Sequence, residues 1–227
     1  MSETVDFSET AGMSGSTARA YPRTIALGGT EYELRYMRPG DEAAVLAFAC
    51  ELPPHDLLFL PRDITHPKVL AAWMHEIERG ALTTLLAFRG AGVAGDTDTV
   101  TAEGTGGDIV GCATIARDPL SWSPHVAELR VVVAAGARGH GLGRALSADA
   151  GELAVASGVE KLTVQMTPDQ IGAVTVFETM GFKAEALLRD HVKDADGSKH
   201  DLVILSLDVE RFRARAAAYG LIPEGAP

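Results

Sequence analysis

The stretch Val131-Val132-Val133-Ala134-Ala135-Gly136-Ala137-Arg138-Gly139-His140-Gly141-Leu142-Gly143-Arg144 joins a β-branched run to an amphipathic segment through a turn dense in glycine. A strand that passes through such a turn into a helix presents the unpaired N–H groups and partial positive charge of the helix start, and glycine lets backbone approach an anion closely. The segment is a candidate cradle for a phosphate or pyrophosphate, against the alternative of a tight turn kept for packing. Its spacing is not that of a dinucleotide fingerprint, because Arg144 stands where a third glycine should follow Gly139 and Gly141, and Leu146 breaks the frame that starts at Gly141. A P-loop is excluded as well: Gly136 and Gly141 have its interval, but Leu142 and Gly143 follow in place of Lys and Ser or Thr. Just upstream, the two-residue period of a strand puts Glu128, Arg130 and Val132 on one face, with neighbours about 6.6 Å apart. Glu128 is then either a proton acceptor or one half of an ion pair with Arg130.

The run Arg138-Gly139-His140-Gly141-Leu142-Gly143 resembles the acyl-CoA-binding motif of the GNAT superfamily of N-acetyltransferases: Arg or Gln, two free positions, Gly, one free position, then Gly or Ala. The later signature of that family has its counterpart in Ala173, Phe177 and Met180-Gly181-Phe182, and the resemblance extends from about Glu31 to Leu207. It implies an α/β GNAT fold, a mixed and mostly antiparallel sheet of six to seven strands with helices on both faces. It also implies acetyl-CoA as cosubstrate. The pantetheine would lie along the strand Glu128 to Val133, with Val131, Val132 and Val133 as contacts, and the pyrophosphate on the amides of Arg138, Gly139, His140, Gly141, Leu142, Gly143 and Arg144. The side chains of Arg138 and Arg144 are either phosphate partners or solvated surface.

Acetyl transfer from a thioester to an amine needs a neutral amine, a held oxyanion and a departing thiolate. Many relatives carry a glutamate near the start of the strand that Glu128 opens, so the resemblance implies Glu128 as general base. The oxyanion would sit on the amide of Val131 or Val132. Relatives often place a tyrosine where Phe177 stands, to protonate the thiolate. Phenylalanine has no proton to give, and Ala173, Val176, Phe177 and Met180 form one apolar helical stripe, so water or another residue must serve. Gln170 occupies a position where relatives contact pantetheine through asparagine, but Thr167-Pro168-Asp169-Gln170 also reads as a capping box. The competing function is a non-catalytic acyl-CoA-binding sensor or regulatory module, motivated by Phe177.

Three polar clusters suit the acceptor side: His55-Asp56 with Phe59, Arg62 and Asp63; Asp118 with Trp122 and His125; and Asp190-His191 with Asp194, His200 and Asp201. Acidic groups there would suit a cationic amine, small molecule or peptide. The seven histidines show no HxxxH or HExxH spacing, so no metal is expected. Cys50 and Cys112 form no CxxC pair and have no evident activating partner, which argues against a thiol intermediate.

The elements that must position these residues follow from punctuation and period. Arg23 to Leu27 and Glu31 to Met37 read as a hairpin about Gly28-Gly29-Thr30. Asp41 is a candidate cap for a helix with Val45, Phe48 and Ala49, ended by Pro53-Pro54, and Pro67 opens a helix that buries Leu70, Trp73, Met74 and Ile77 and closes at Gly80. Strands are expected at Leu82 to Arg89, Ile109 to Arg117 and Val126 to Ala134, a helix from Leu142 to about Ser157, and a strand from Lys161 to Met166. A helix from Asp169 to Met180, a hairpin of Phe182 to Lys193 with Leu202 to Val209, and a last helix from Val209 to Tyr219 complete the pattern. The division is a flexible segment 1–22, a single acetyltransferase domain 23–210, and a helix and tail 211–227.

Composition sets the outer bounds. At 227 residues one decorated domain is the default. The net charge of −11 argues against nucleic acid, whose affinity needs basic surface to release counterions. Met1 to Ala20 carries Glu3, Asp6 and Glu9 where an export signal would be basic and then apolar, and no apolar run approaches the roughly 20 residues of a membrane span. A cytoplasmic enzyme is the expectation. The identity of the amine, the acyl chain and the oligomeric state, a homodimer included, stay open.

Overall fold

The computed structural model describes residues 19–90, 107–211 and 214. One eight-stranded sheet runs through them, in the order β1-β2-β3-β4-β5-β6-β8-β7. Its strands are β1 (Arg23–Leu27), β2 (Thr30–Tyr36), β3 (Leu82–Arg89), β4 (Ile109–Ala116), β5 (Val126–Val133), β6 (Lys161–Met166), β7 (Lys183–Lys193) and β8 (Lys199–Asp208). Eight strands stand where the resemblance implied six to seven, and β1, at one edge, is held to β2 through the two-residue turn Gly28-Gly29. Gly28 is required there: its φ is +58°, and a Cβ would stand 2.8 Å from the His140 ring. All neighbours are antiparallel except β5 and β6.

Helices cover both faces, because alternate residues of the strands are apolar on each side. On one face α3 (Leu142–Ala156) and α4 (Ile171–Thr179) bury Leu142, Leu146, Ala150 and Phe177 against Leu85, Leu129, Leu162 and Val164. On the other, α1 (Glu42–Glu51) and α2 (Pro67–Glu78) bury Val45, Phe48, Leu70 and Trp73 against Leu86, Cys112 and Val132. Of the four residues its apolar spacing selects, α2 buries Leu70, Trp73 and Met74, whereas Ile77 is only partly buried against the same core.

Two expected caps are not made. Asp41 stands at the start of α1 without capping it. Its carboxylate accepts instead from both Arg35 nitrogens at 2.8 Å and from the Arg38 N–H at 2.7 Å. Burial raises the Asp41 carboxyl, but the Arg35 guanidinium and the Arg38 N–H outweigh it and hold the group below its ordinary value. Thr167 does not cap α4 either, since the helix begins at Ile171, four residues on, and Gln170 is its cap residue without a side-chain bond.

At the amino end of the described chain, Arg19, Tyr21 and Arg23 converge on Asp149 of α3, whose side chain is fully buried. The expected segment 1–22 is thus fastened from Arg19 onward, and its earlier part lies outside the described residues. So do most of the expected last helix, of which Val209 to Arg211 form the start, and nearly all of the Gly92 to Asp108 loop. Among the described residues no helix is long and apolar enough to cross a membrane.

Candidate active site

The site begins where two neighbouring strands part. β5 and β6 pair in parallel at Val126, Ala127 and Glu128, opposite Lys161, Leu162 and Thr163, and go no further together. β6 continues to Met166 along β8, whereas β5 continues to Val133 along β4. A wedge therefore opens beyond Glu128 and Thr163.

The ladder decides which backbone groups face it. The Ala134 N–H donates to the Val110 carbonyl at 2.9 Å, and residue pairs of antiparallel strands alternate between bonded and non-bonded, so Val132, Arg130 and Glu128 point their N–H groups at β4. Leu129, Val131 and Val133 point theirs the other way. The Lys161 N–H reaching the His125 carbonyl at 3.1 Å shows the same phase on the β6 side. Val131 and Val133 thus present N–H and carbonyl groups to the wedge, and Val132 does not. One of these is already engaged, since Arg138 Nε donates to the Val133 carbonyl at 2.9 Å.

At the wide end of the wedge lies the glycine turn. Gly139 and Gly141 have φ of +79° and +90°, and Gly141 is the cap residue of the 15-residue helix α3. A Cβ on either would meet nothing within 4 Å, so their role is conformational and the space before the helix start is open. Leu142 turns its side chain into the core, leaving its amide to the turn, and His140 packs over Gly28. Arg144 donates to Thr179 Oγ1 at 3.3 Å on the surface between α3 and α4.

Glu128 and Arg130 make the ion pair that their spacing permits. Arg130 Nε and Nη2 reach Glu128 Oε1 and Oε2 at 3.0 and 2.8 Å in a two-point pair, with side-chain exposures of 17% and 20%. Glu128 stands at the closed end of the wedge. Phe177 is buried edge-to-face against Phe182, with ring centroids 5.2 Å apart. Gln170 is partly buried at the start of α4.

Two of the polar clusters come together although 145 positions separate their histidines in the sequence. His55, in the short turn Pro54–Leu57 after α1, meets His200 of β8 edge-to-face with centroids 5.2 Å apart. Each ring nitrogen Nε2 has its own carboxylate at 2.8 Å, Asp169 for His55 and Asp194 for His200. Asp169 is held below its ordinary value first by the Thr167 hydroxyl and then by His55. The neighbouring Asp56 takes Arg138 Nη2 at 2.6 Å, so this turn bridges the far ends of β5 and β6 over the wedge. Sequence reasoning marked His55 and His200 separately and carried no signal that they touch. The cluster of Asp118, Trp122 and His125 lies at the opposite end of β5, where Trp122 is fully exposed and Asp118 shares the lining of one cavity with Arg62. No three His, Cys, Asp or Glu side chains among the described residues converge as a metal site would need.

On the α1/α2 face a cavity of about 810 Å³ lies between those helices and the strands β3 to β5. Arg130 and Val132 are part of its floor.

Residues 71–182 match the acetyltransferase (GNAT) family, a span that takes in β5, the glycine turn and Phe182. Those residues form a GNAT acetyltransferase domain. A GNAT domain makes the protein an acetyltransferase with acetyl-CoA as donor, and the open space before α3 and the free edge of β5 fit that donor. Solved structures share the GNAT fold. Ribosomal-protein-alanine N-acetyltransferase from Brucella melitensis is 22% identical, with a TM-score of 0.59 over 77% of this chain and 98% of that one. An N-acetyltransferase from Staphylococcus aureus Mu50 is 17% identical, with a TM-score of 0.60 over 78% and 98%. The structure of yncA from Salmonella typhimurium with its cofactor acetyl-CoA is 16% identical, with a TM-score of 0.60 over 78% and 94%. A comparison with curated proteins finds no match.

Proposed function

We propose that this enzyme moves the acetyl group of acetyl-CoA directly onto a primary amine, and that residues 23–210 form the domain that does so. The observation that carries this reading is the wedge: two parallel strands part at Glu128 and leave the amides of Val131 and Val133 unpaired by β6, next to a helix start with open space before it. Acetyl-CoA supplies an activated thioester. The amides of Gly139 to Arg144 hold its pyrophosphate, the Arg138 N–H being already donated to the Ala135 carbonyl at 3.3 Å, and the edge groups of Val131 and Val133 hold the arm that leads to the thioester.

The Val131 N–H is the donor for the developing oxyanion, because it faces the wedge one residue from the even-numbered side chains that face the acceptor. Val132 contributes packing only. Glu128 accepts the proton of the attacking amine, directly or through a water, and holds both roles at once: the ion pair with Arg130 keeps its carboxylate charged and oriented and makes it the weaker base. As the C–N bond forms and the C–S bond breaks, the thiolate leaves. It takes its proton from water, since Phe177 has none to give. No side chain is acylated, in keeping with Cys112, whose thiol burial pushes up to about 12.

The test is amine-dependent release of free CoA from purified protein. Glu128→Gln should slow it at least about tenfold in a protein that still folds, the scale of general base catalysis. An unchanged rate in a folded Glu128→Gln protein removes Glu128 from the mechanism.

A further inference from the structure

We infer that the acceptor is a bulky apolar primary amine, aryl or branched alkyl, whose body fills the cavity between α1, α2 and the strands β3 to β5; this rests on the acetyl-transfer reading above. Size is the first support. About 810 Å³ is the volume of sites that enclose whole small molecules, about 300–1,000 Å³, and far exceeds what an amine of one or two carbons would fill.

The chemistry of the walls is the second. Val45 and Phe48 from α1, Leu60 and Ile64 from the following loop, and Val69 and Trp73 from α2 surround the space. The polar groups at its floor already satisfy one another: Trp73 Nε1 donates to Thr84 Oγ1 at 2.9 Å, Thr84 Oγ1 lies 3.3 Å from Thr114 Oγ1, and Cys112 Sγ lies 3.7 Å from the same oxygen. A second ammonium or an amide placed there would lose water and gain no partner, which excludes polyamines and polar amino acids from the interior. The charge at the floor, Arg130, is already paired with Glu128, and the other charged lining residues are Arg62, paired with Glu76 at 2.9 Å, and Arg79, Arg117 and Asp118.

The third support is position. Arg130 and Val132, on the floor, flank the Val131 amide on the adjoining edge of the same strand. An occupant with its apolar body against Trp73 and its amine toward β5 meets the wedge where Glu128 and Arg130 stand.

Two measurements test this. CoA release is followed with phenethylamine and octylamine against putrescine and glycinamide, in the native protein and in Val69→Phe and Leu60→Phe, which add bulk to the cavity wall away from β5. Binding is followed separately by the emission of Trp73 in a Trp122→Phe protein, in which Trp73 is the remaining tryptophan. The apolar amines should be used at least tenfold better in kcat/KM, and either filling variant should raise their KM at least tenfold with acetyl-CoA affinity unchanged. Octylamine should also shift Trp73 emission saturably where putrescine does not. Equal use of all four amines, preference for putrescine, or filling variants that act on every amine alike would overturn the inference. A saturable Trp73 response without any CoA release would uphold the cavity's ligand class and sink the transfer reading instead.

Discussion

The alternation of β5 makes a sharp demand on two adjacent valines. Proline at position 131 removes an N–H that points into the wedge, where β6 has already turned away, so β5 behaves there as an edge strand and tolerates the ring. Proline at position 132 removes an N–H of the β4–β5 ladder and leaves the buried Cys112 carbonyl without its donor. The lost bond and the orphaned carbonyl together cost about 2–4 kcal/mol. For a protein of this length each kcal/mol moves the midpoint by about 2–4 °C, so Val132→Pro should melt about 4–16 °C below the native enzyme. Val131→Pro should melt within a few degrees of it and yet lose catalysis, because removal of one oxyanion donor lowers kcat about 100- to 1,000-fold. Scanning fluorimetry and CoA release on the same two preparations separate the effects. A Val131→Pro enzyme with near-native kcat, or one that melts below Val132→Pro, would refute the assignment of the Val131 and Val133 amides to the wedge.

Other consequences can be checked on the same material. Gly141→Ala forces a Cβ into left-handed backbone at φ +90°, at about 1–2 kcal/mol, and should lower the midpoint by about 2–8 °C while weakening acetyl-CoA binding in a calorimetric titration. Asp41 has its carboxyl lowered in the folded state, so its contribution is present above the unfolded value and is lost as pH falls through the folded one. Asp41→Asn should therefore be the less stable protein at pH 7 and show a shallower fall in melting temperature below about pH 4. Asp149→Ala strips Arg19, Arg23 and Tyr21 of their shared acceptor. With charged hydrogen bonds at about 1.5–3 kcal/mol and both arginines partly in water, a midpoint about 3–12 °C lower is expected, with acetyl-CoA affinity unchanged.

Local order is what the sequence carried most fully. The starts and ends of β1, β6 and α2 fall where Gly, Pro and the apolar period place them, because those signals act within a few residues. The glycine turn was legible for the same reason: positive φ at Gly139 and Gly141 and a helix start after them are properties of a ten-residue segment. Local signals misled at Asp41 and Thr167, residues suited to capping that a tertiary partner recruited elsewhere, Arg35 in one case and the His55 and Asp169 group in the other. The Glu128–Arg130 pair lay between these limits, since spacing allowed it and the shared face of β5 completed it.

By itself, then, the sequence determined the elements, the glycine turn and the family resemblance, each written in short-range periodicity or in a motif within one segment. Which valine amides face the wedge was decided by the register of β5 against β4 and by the point at which β6 leaves it, a property of three strands together. The meeting of His55 with His200 and of Asp56 with Arg138 was likewise set by chain segments far apart in sequence. The cavity on the α1/α2 face is a volume left between two helices and a sheet, and a volume of that kind has no residue of its own to be read in advance.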